Sequence, residues 1–174
     1  MSLARKQLTV VAGTVPAFVV AFFTARYAPT LFGFAALPAD NTAARLAFAS
    51  HWLMVPGLAL LAGIVVASRR GFIADAIDGT RSPLSHSLEI NLRYNQNTLE
   101  QTVLAAIAWI NLSLMLPQER LVLIPAAAFL FGFGRAAFWI GYLIYPTARA
   151  FGMVLTVLPT IAGYVWLLQR ALGG

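Results

Sequence analysis

The chain has 174 residues, of which 60% are apolar and only 10% charged, with no cysteine and a formal net charge of +6. This composition excludes an ordinary soluble domain and places the chain among membrane proteins. Without cysteine there is no disulfide framework, no thiolate nucleophile and no sulfur-built metal site. The positive charge reads as lysine and arginine at membrane helix ends, not as a nucleic-acid surface.

The first charge-free stretch is the 19 residues between Lys6 and Arg26. Preceded by Arg5 and Lys6 and followed by small residues, it has the form of a secretory signal as well as of an anchor. The expectation is a retained membrane helix. Residues 27–44 carry prolines and aromatics and are expected at the membrane interface. A second span of 23 residues lies between Arg45 and Arg69. Residues 71–86 hold Asp78-Gly79 and Ser82-Pro83, which predicts a polar loop.

A third span, of 18 residues, separates Glu100 from Glu119. The fourth runs from Leu121 to about Leu143 and is interrupted by Arg135 alone. The fifth runs from Ala150 to Gln169. A crossing takes about 20 residues, and an open strand edge has no partner in lipid, so five membrane helices are expected. Placing the N-terminus in the cytoplasm puts eight of the 12 cationic residues inside, among them Arg69, Arg93, Arg135 and Arg149. Arg26, Arg45, Arg120 and Arg170 fall outside. The bias favours that orientation.

The polar residues cluster at one end. In "RYNQNTLE" (93–100), Arg93, Asn97 and Glu100 sit at i, i+4 and i+7 and share a helical face. Arg135 and Tyr142 are likewise seven residues apart. Arg135 lies roughly 12 Å below the end of its span at helical rise, where an arginine needs a partner or water. A buried Glu100–Arg135 pair that only fixes packing is one reading. The surplus of cations, Arg69, Arg93, Arg135 and Arg149 against Glu100, supports another: an anion held between helices. His51 and His86 lack ligand-spaced partners, so no metal site is predicted. Asn111 and Ser113 read as interhelical hydrogen-bonding groups, and the four tryptophans as interface or packing residues.

Three segments resemble the MAPEG family, the membrane-associated proteins in eicosanoid and glutathione metabolism. "RYNQNTLE" looks like its Arg-x-x-x-Asn-x-x-Glu signature. "ASRRGF" (67–72) is similar to the basic end of its first helix, and "FGRAAFWIGYLIYPTAR" (133–149) to the segment joining its third and fourth helices. The resemblance implies an all-α integral membrane protein. Residues 45–174 would form the MAPEG-like four-helix domain, and residues 1–44 an additional N-terminal transmembrane helix with its interfacial loop.

It further implies a homotrimer binding glutathione between subunits, with a lipophilic small molecule as second substrate. Arg69, Arg93, Asn95, Asn97, Glu100, Arg135 and Tyr142 would bind glutathione, and Arg149 would stabilise its thiolate. Gln101 and Phe138 stand where one catalytic member has tyrosines. The implied activity is a membrane glutathione transferase or peroxidase. The alternative is a non-catalytic lipid-binding or accessory member, with the extra helix contacting another membrane protein. The expected location is a bacterial inner membrane.

Overall fold

A computed structural model describes residues 2–33, 35–74, 76–78 and 85–173. The chain is helical throughout its elements. Helix α1 (Leu3–Arg26) is followed by one turn, α2 (Ala28–Leu31). Then come α3 (Thr42–Trp52) and α4 (Met54–Ala67), which ends in a 3₁₀ turn (Ser68–Phe72). The long α5 (His86–Met115), α6 (Leu123–Ile144) and α7 (Ala150–Leu172) complete the bundle. Five helical spans are long and apolar enough to cross a membrane, with α3 and α4 acting in line as one.

The second span breaks at Leu53 for a local reason. Pro56 has no amide proton for the Trp52 carbonyl, and its ring crowds that carbonyl. The ladder resumes from Gly57 N to Leu53 O at 3.2 Å. In contrast, α5 is longer than the apolar stretch suggests. Its 30 residues extend about 45 Å, against a hydrocarbon core of about 30 Å. The polar segment 91–101 therefore lies within a continuous helix and continues the membrane span toward one face. Of the polar loop expected over 71–86, Gly79, Ser82 and Pro83 lie outside the described residues.

Within the bundle, α6 packs most closely on α7, α4 on α5, and α1 runs along α7 and α6. Glycines make the α6–α7 contact possible. A Cβ on Gly152 would overlap the Phe138 amide and the Gly134 carbonyl, so the two backbones touch. Such close approach replaces the hydrophobic driving force that lipid does not provide. The added helix uses the same device. Ala17, Ala21 and Thr24 of α1 are buried, the alanines against Leu130 and Leu155.

At the end bearing the 116–122 turn, Arg45 ties three segments together. Its guanidinium donates to the Ser113 and Leu116 carbonyls at 3.0 and 2.8 Å, two of the acceptors left open at the C-terminus of α5. It also donates to Gln118 Oε1 at 3.2 Å and pairs with Asp40 at 2.7 Å. Gln118 in turn donates to the Pro38 carbonyl. The sequence had marked Arg45 only as an outer-face charge.

Candidate functional site

Arg135 is the most buried charge among the described residues, 1% exposed, and projects from α6 toward both α5 and α7. Its Nη1 donates to Asn97 Oδ1 at 2.8 Å, and Nε donates to Thr156 Oγ1 at 3.1 Å. Thr98 Oγ1 at 3.5 Å and the Met153 sulfur at 3.8 Å complete its surroundings. The Phe138 ring lies beneath the guanidinium, 4.4 Å from its carbon. Neutral acceptors and an aromatic face thus replace the carboxylate expected opposite a buried cation. The Glu100–Arg135 pair does not form. Glu100 faces outward and accepts from Gln96 at 2.9 Å.

Nearer the membrane face, Tyr142 lies between two arginines. Its ring carries the Arg149 guanidinium, with the carbon 4.5 Å from the centroid. The Tyr142 hydroxyl lies close enough to the Arg93 guanidinium to interact with it. Arg149 reaches this place because the chain turns sharply after α6. Pro146 cannot continue the helix, and the Ala148 carbonyl sits where a Cβ on Gly141 would come within 2.7 Å. Arg149 then caps α7, its carbonyl accepting from Met153 N at 3.0 Å. The first amides of α7 add positive potential beside it.

Arg93 is bonded to its own helix, with Nη2 2.7 Å from Glu89 Oε1. This i, i+4 pair is exposed, at 62% for the arginine side chain, and such pairs contribute little. Among the described residues neither Arg135 nor Arg149 has a carboxylate partner. Arg69 lies at the same end, donating to Ser87 Oγ at 2.9 Å and so joining the end of α4 to the start of α5. Asn95 points elsewhere. Its Oδ1 is buried against Gly63 of α4 with no hydrogen-bond partner among the described residues.

The predicted set thus divides. Arg93, Tyr142 and Arg149 come together, and Arg135 and Asn97 form a separate bonded pair one layer deeper. Asn95 lies behind and Glu100 outside. Sequence reasoning missed the supports. Glu89, four residues before Arg93, was readable as a helical pair. Asn91, which accepts from Trp139 Nε1 at 2.8 Å, and Thr156 and Met153 on α7 had no spacing signal. Tyr94, stacked on Trp139 with centroids 4.6 Å apart, donates to the Ala59 carbonyl at 3.2 Å and fixes α5 to α4.

The MAPEG family model matches residues 42–169, which contain every one of these side chains. The chain belongs to the MAPEG family. Helix α1 precedes the matched region, and the family's membrane character agrees with the five spans. A further similarity is to Transmembrane protein 79 of Mus musculus, 33% identical over 79 residues. That match covers 45% of this chain and 20% of the mouse protein, so the chain spans only a small part of that relative's length. No solved structure matches. This MAPEG protein is accordingly an integral membrane protein.

Proposed function

We propose that this MAPEG protein is a membrane-bound glutathione transferase or peroxidase, acting on a lipophilic electrophile. The observation that carries this reading is the Arg93–Tyr142–Arg149 arrangement, in which Tyr142 spaces two guanidinium groups at one membrane face. Glutathione is a net anion with two carboxylates and a thiol, and arginine holds carboxylates in a bidentate manner. Arg93 would exchange its exposed contact with Glu89 for a glutathione carboxylate, and Arg69 lies at the same end to assist. Asn97 and Arg135 hold the floor beneath the proposed site, Glu100 would reach it from the outward face of α5, and Asn95 supports α5 from behind.

Arg149 is assigned the thiolate. A free thiol of pKa about 8.5 is only a few per cent ionised at neutral pH, and each unit of lowering takes about 1.4 kcal/mol. A guanidinium beside the first amides of α7 supplies stabilisation of that order. The thiol proton passes to water. The sulfur then attacks the electrophilic carbon, forms the S–C bond, and expels the leaving group with its electron pair. With a hydroperoxide, the same thiolate attacks the outer oxygen and breaks the O–O bond, releasing the alkoxide, which takes a proton from water to become the alcohol. A second glutathione thiol then displaces water from the sulfenic acid to give the disulfide. Lipid concentrates the second substrate beside the site.

A homotrimer is part of the proposal. On α5, Leu99, Val103, Ile107 and Leu114 are exposed together with Gln96, Glu100 and Asn111. Polar side chains at membrane depth favour protein neighbours over lipid, so this face suits a second copy, with glutathione bound between subunits. The proposed orientation puts the N-terminus and the Tyr145–Arg149 turn in the cytoplasm of a bacterial inner membrane. Measuring glutathione affinity and turnover of a generic aryl halide tests the activity. Binding without turnover would favour the non-catalytic reading. That second reading has its own support in Phe138, whose ring, 3% exposed, brings an apolar face to Arg135 where a hydroxyl could have served a substrate.

A further inference from the structure

A cavity lies at the opposite end of the bundle from Arg149, between the added helix and the family core. It has a volume of about 480 Å³ and is walled by Phe22 and Ala25 of α1, Trp109 of α5, Leu130 of α6, and Ala162 and Trp166 of α7. Arg120, in the turn between α5 and α6, stands at its edge. The size is about three times that of a ~150 Å³ cavity that seats benzene, enough for one alkyl chain but not for a whole two-tailed lipid. Phe18 and Phe22 of α1 both line the cavity and are 50% and 65% exposed, so it opens toward lipid beside α1.

One polar group marks this otherwise apolar space. Arg120 is exposed and pairs with no carboxylate among the described residues. Trp109 forms part of the wall and is 1% exposed, with its indole N–H closed off from the cavity. An alkane would leave the guanidinium unanswered. A phospholipid brings a phosphate for it at the interface.

We infer that the cavity between α1 and the α5–α7 core seats one acyl chain of an anionic bilayer phospholipid, its phosphate held by Arg120 and its second chain remaining in the surrounding bilayer. The occupant belongs to the leaflet opposite Arg149 and is distinct from the substrates of the glutathione reaction. Its effect is to join α1 to the core through lipid where side chains leave space. The inference stands independently of the proposed activity, because no residue of the glutathione site borders this cavity.

The test uses the full chain in nanodiscs containing phospholipids brominated on their acyl chains, which quench tryptophan on contact. The emission of Trp109 is obtained as the difference between the wild type and Trp109→Phe. Brominated phosphatidylglycerol should quench this buried ring at roughly fivefold lower lipid fraction than brominated phosphatidylcholine, whose choline cation offsets its phosphate, about the preference of one basic residue for net-negative lipid. Arg120→Gln should abolish the headgroup preference. Ala162→Phe, which fills the cavity from its lipid-exposed side, should protect Trp109 from quenching, with circular dichroism confirming an intact fold in each variant. An unquenched Trp109 would overturn the inference. So would quenching by brominated oleic acid but not by brominated phosphatidylglycerol, or a preference that survives Arg120→Gln.

Discussion

The Arg149 guanidinium lies over the Tyr142 ring at 4.5 Å, although the two residues belong to different helices separated by a proline turn. The contact holds a cation at the rim of the bundle without neutralising it. A carboxylate partner would have cancelled the charge; an aromatic face keeps it available to an incoming anion. Tyr142→Phe should therefore preserve the position of Arg149 and most of the proposed activity. Tyr142→Ala should lower turnover at least about tenfold, which corresponds to 1.36 kcal/mol. Comparing turnover of the two variants at saturating glutathione checks this. Equal losses would assign the role to the hydroxyl instead of the ring.

Arg93 and Arg149 should separate binding from chemistry. Arg93→Ala is expected to weaken glutathione binding several-fold, with turnover at saturation nearly unchanged. Arg149→Ala should leave affinity mostly intact. Titration calorimetry combined with steady-state kinetics distinguishes the two patterns.

A structural role is predicted for Asn97, which accepts from Arg135 at 2.8 Å. Asn97→Ala removes the nearest acceptor of a buried cation and should cost about 2 kcal/mol, read as a lower unfolding temperature in detergent. A residue that only contacts glutathione would leave that temperature unchanged without the ligand. Arg135→Lys should destabilise comparably, since one ammonium cannot reach Asn97 and Thr156 with the same fork.

The opposite end of the molecule gives an independent test of the fold. Arg45→Ala removes bonds to Ser113, Leu116, Gln118 and Asp40 and should cost about 3 kcal/mol while leaving glutathione affinity unaltered. Gly152→Ala should destabilise by at least about 2 kcal/mol, because the new methyl meets the backbone of α6. Gly57→Ala, with open space around its Cβ position, should be tolerated. Thermal denaturation of the three variants side by side tests the helix contacts.

Much of the architecture could be read from the distribution of charge. The gaps between charged residues located all five spans, because lipid penalises ionised groups along a whole helix. What could not be read was local or tertiary. The break at Leu53 depended on one missing amide proton at Pro56, inside a run that hydropathy treats as continuous. The seven-residue spacing of Arg135, Tyr142 and Arg149 was visible, but it is the proline turn between α6 and α7 that brings Arg149 onto Tyr142. The same spacing did not reveal that Arg135 would turn toward Asn97 and Thr156, since helical phase says nothing about which neighbour supplies an acceptor. Arg45 looked like a topology marker and is a helix-end clamp, a role fixed by where α5 happens to stop.

The thiolate assignment is the central claim, and ultraviolet difference spectroscopy of bound glutathione tests it most directly. Thiolate absorbs where thiol does not, so titrating glutathione onto the protein at neutral pH reports ionisation without any second substrate. The wild type should show a thiolate band that persists at least one pH unit below that of free glutathione, and Arg149→Ala should bind glutathione with the band lost. Glutathione bound to the wild type entirely as thiol, or an unchanged band in Arg149→Ala, would contradict the account.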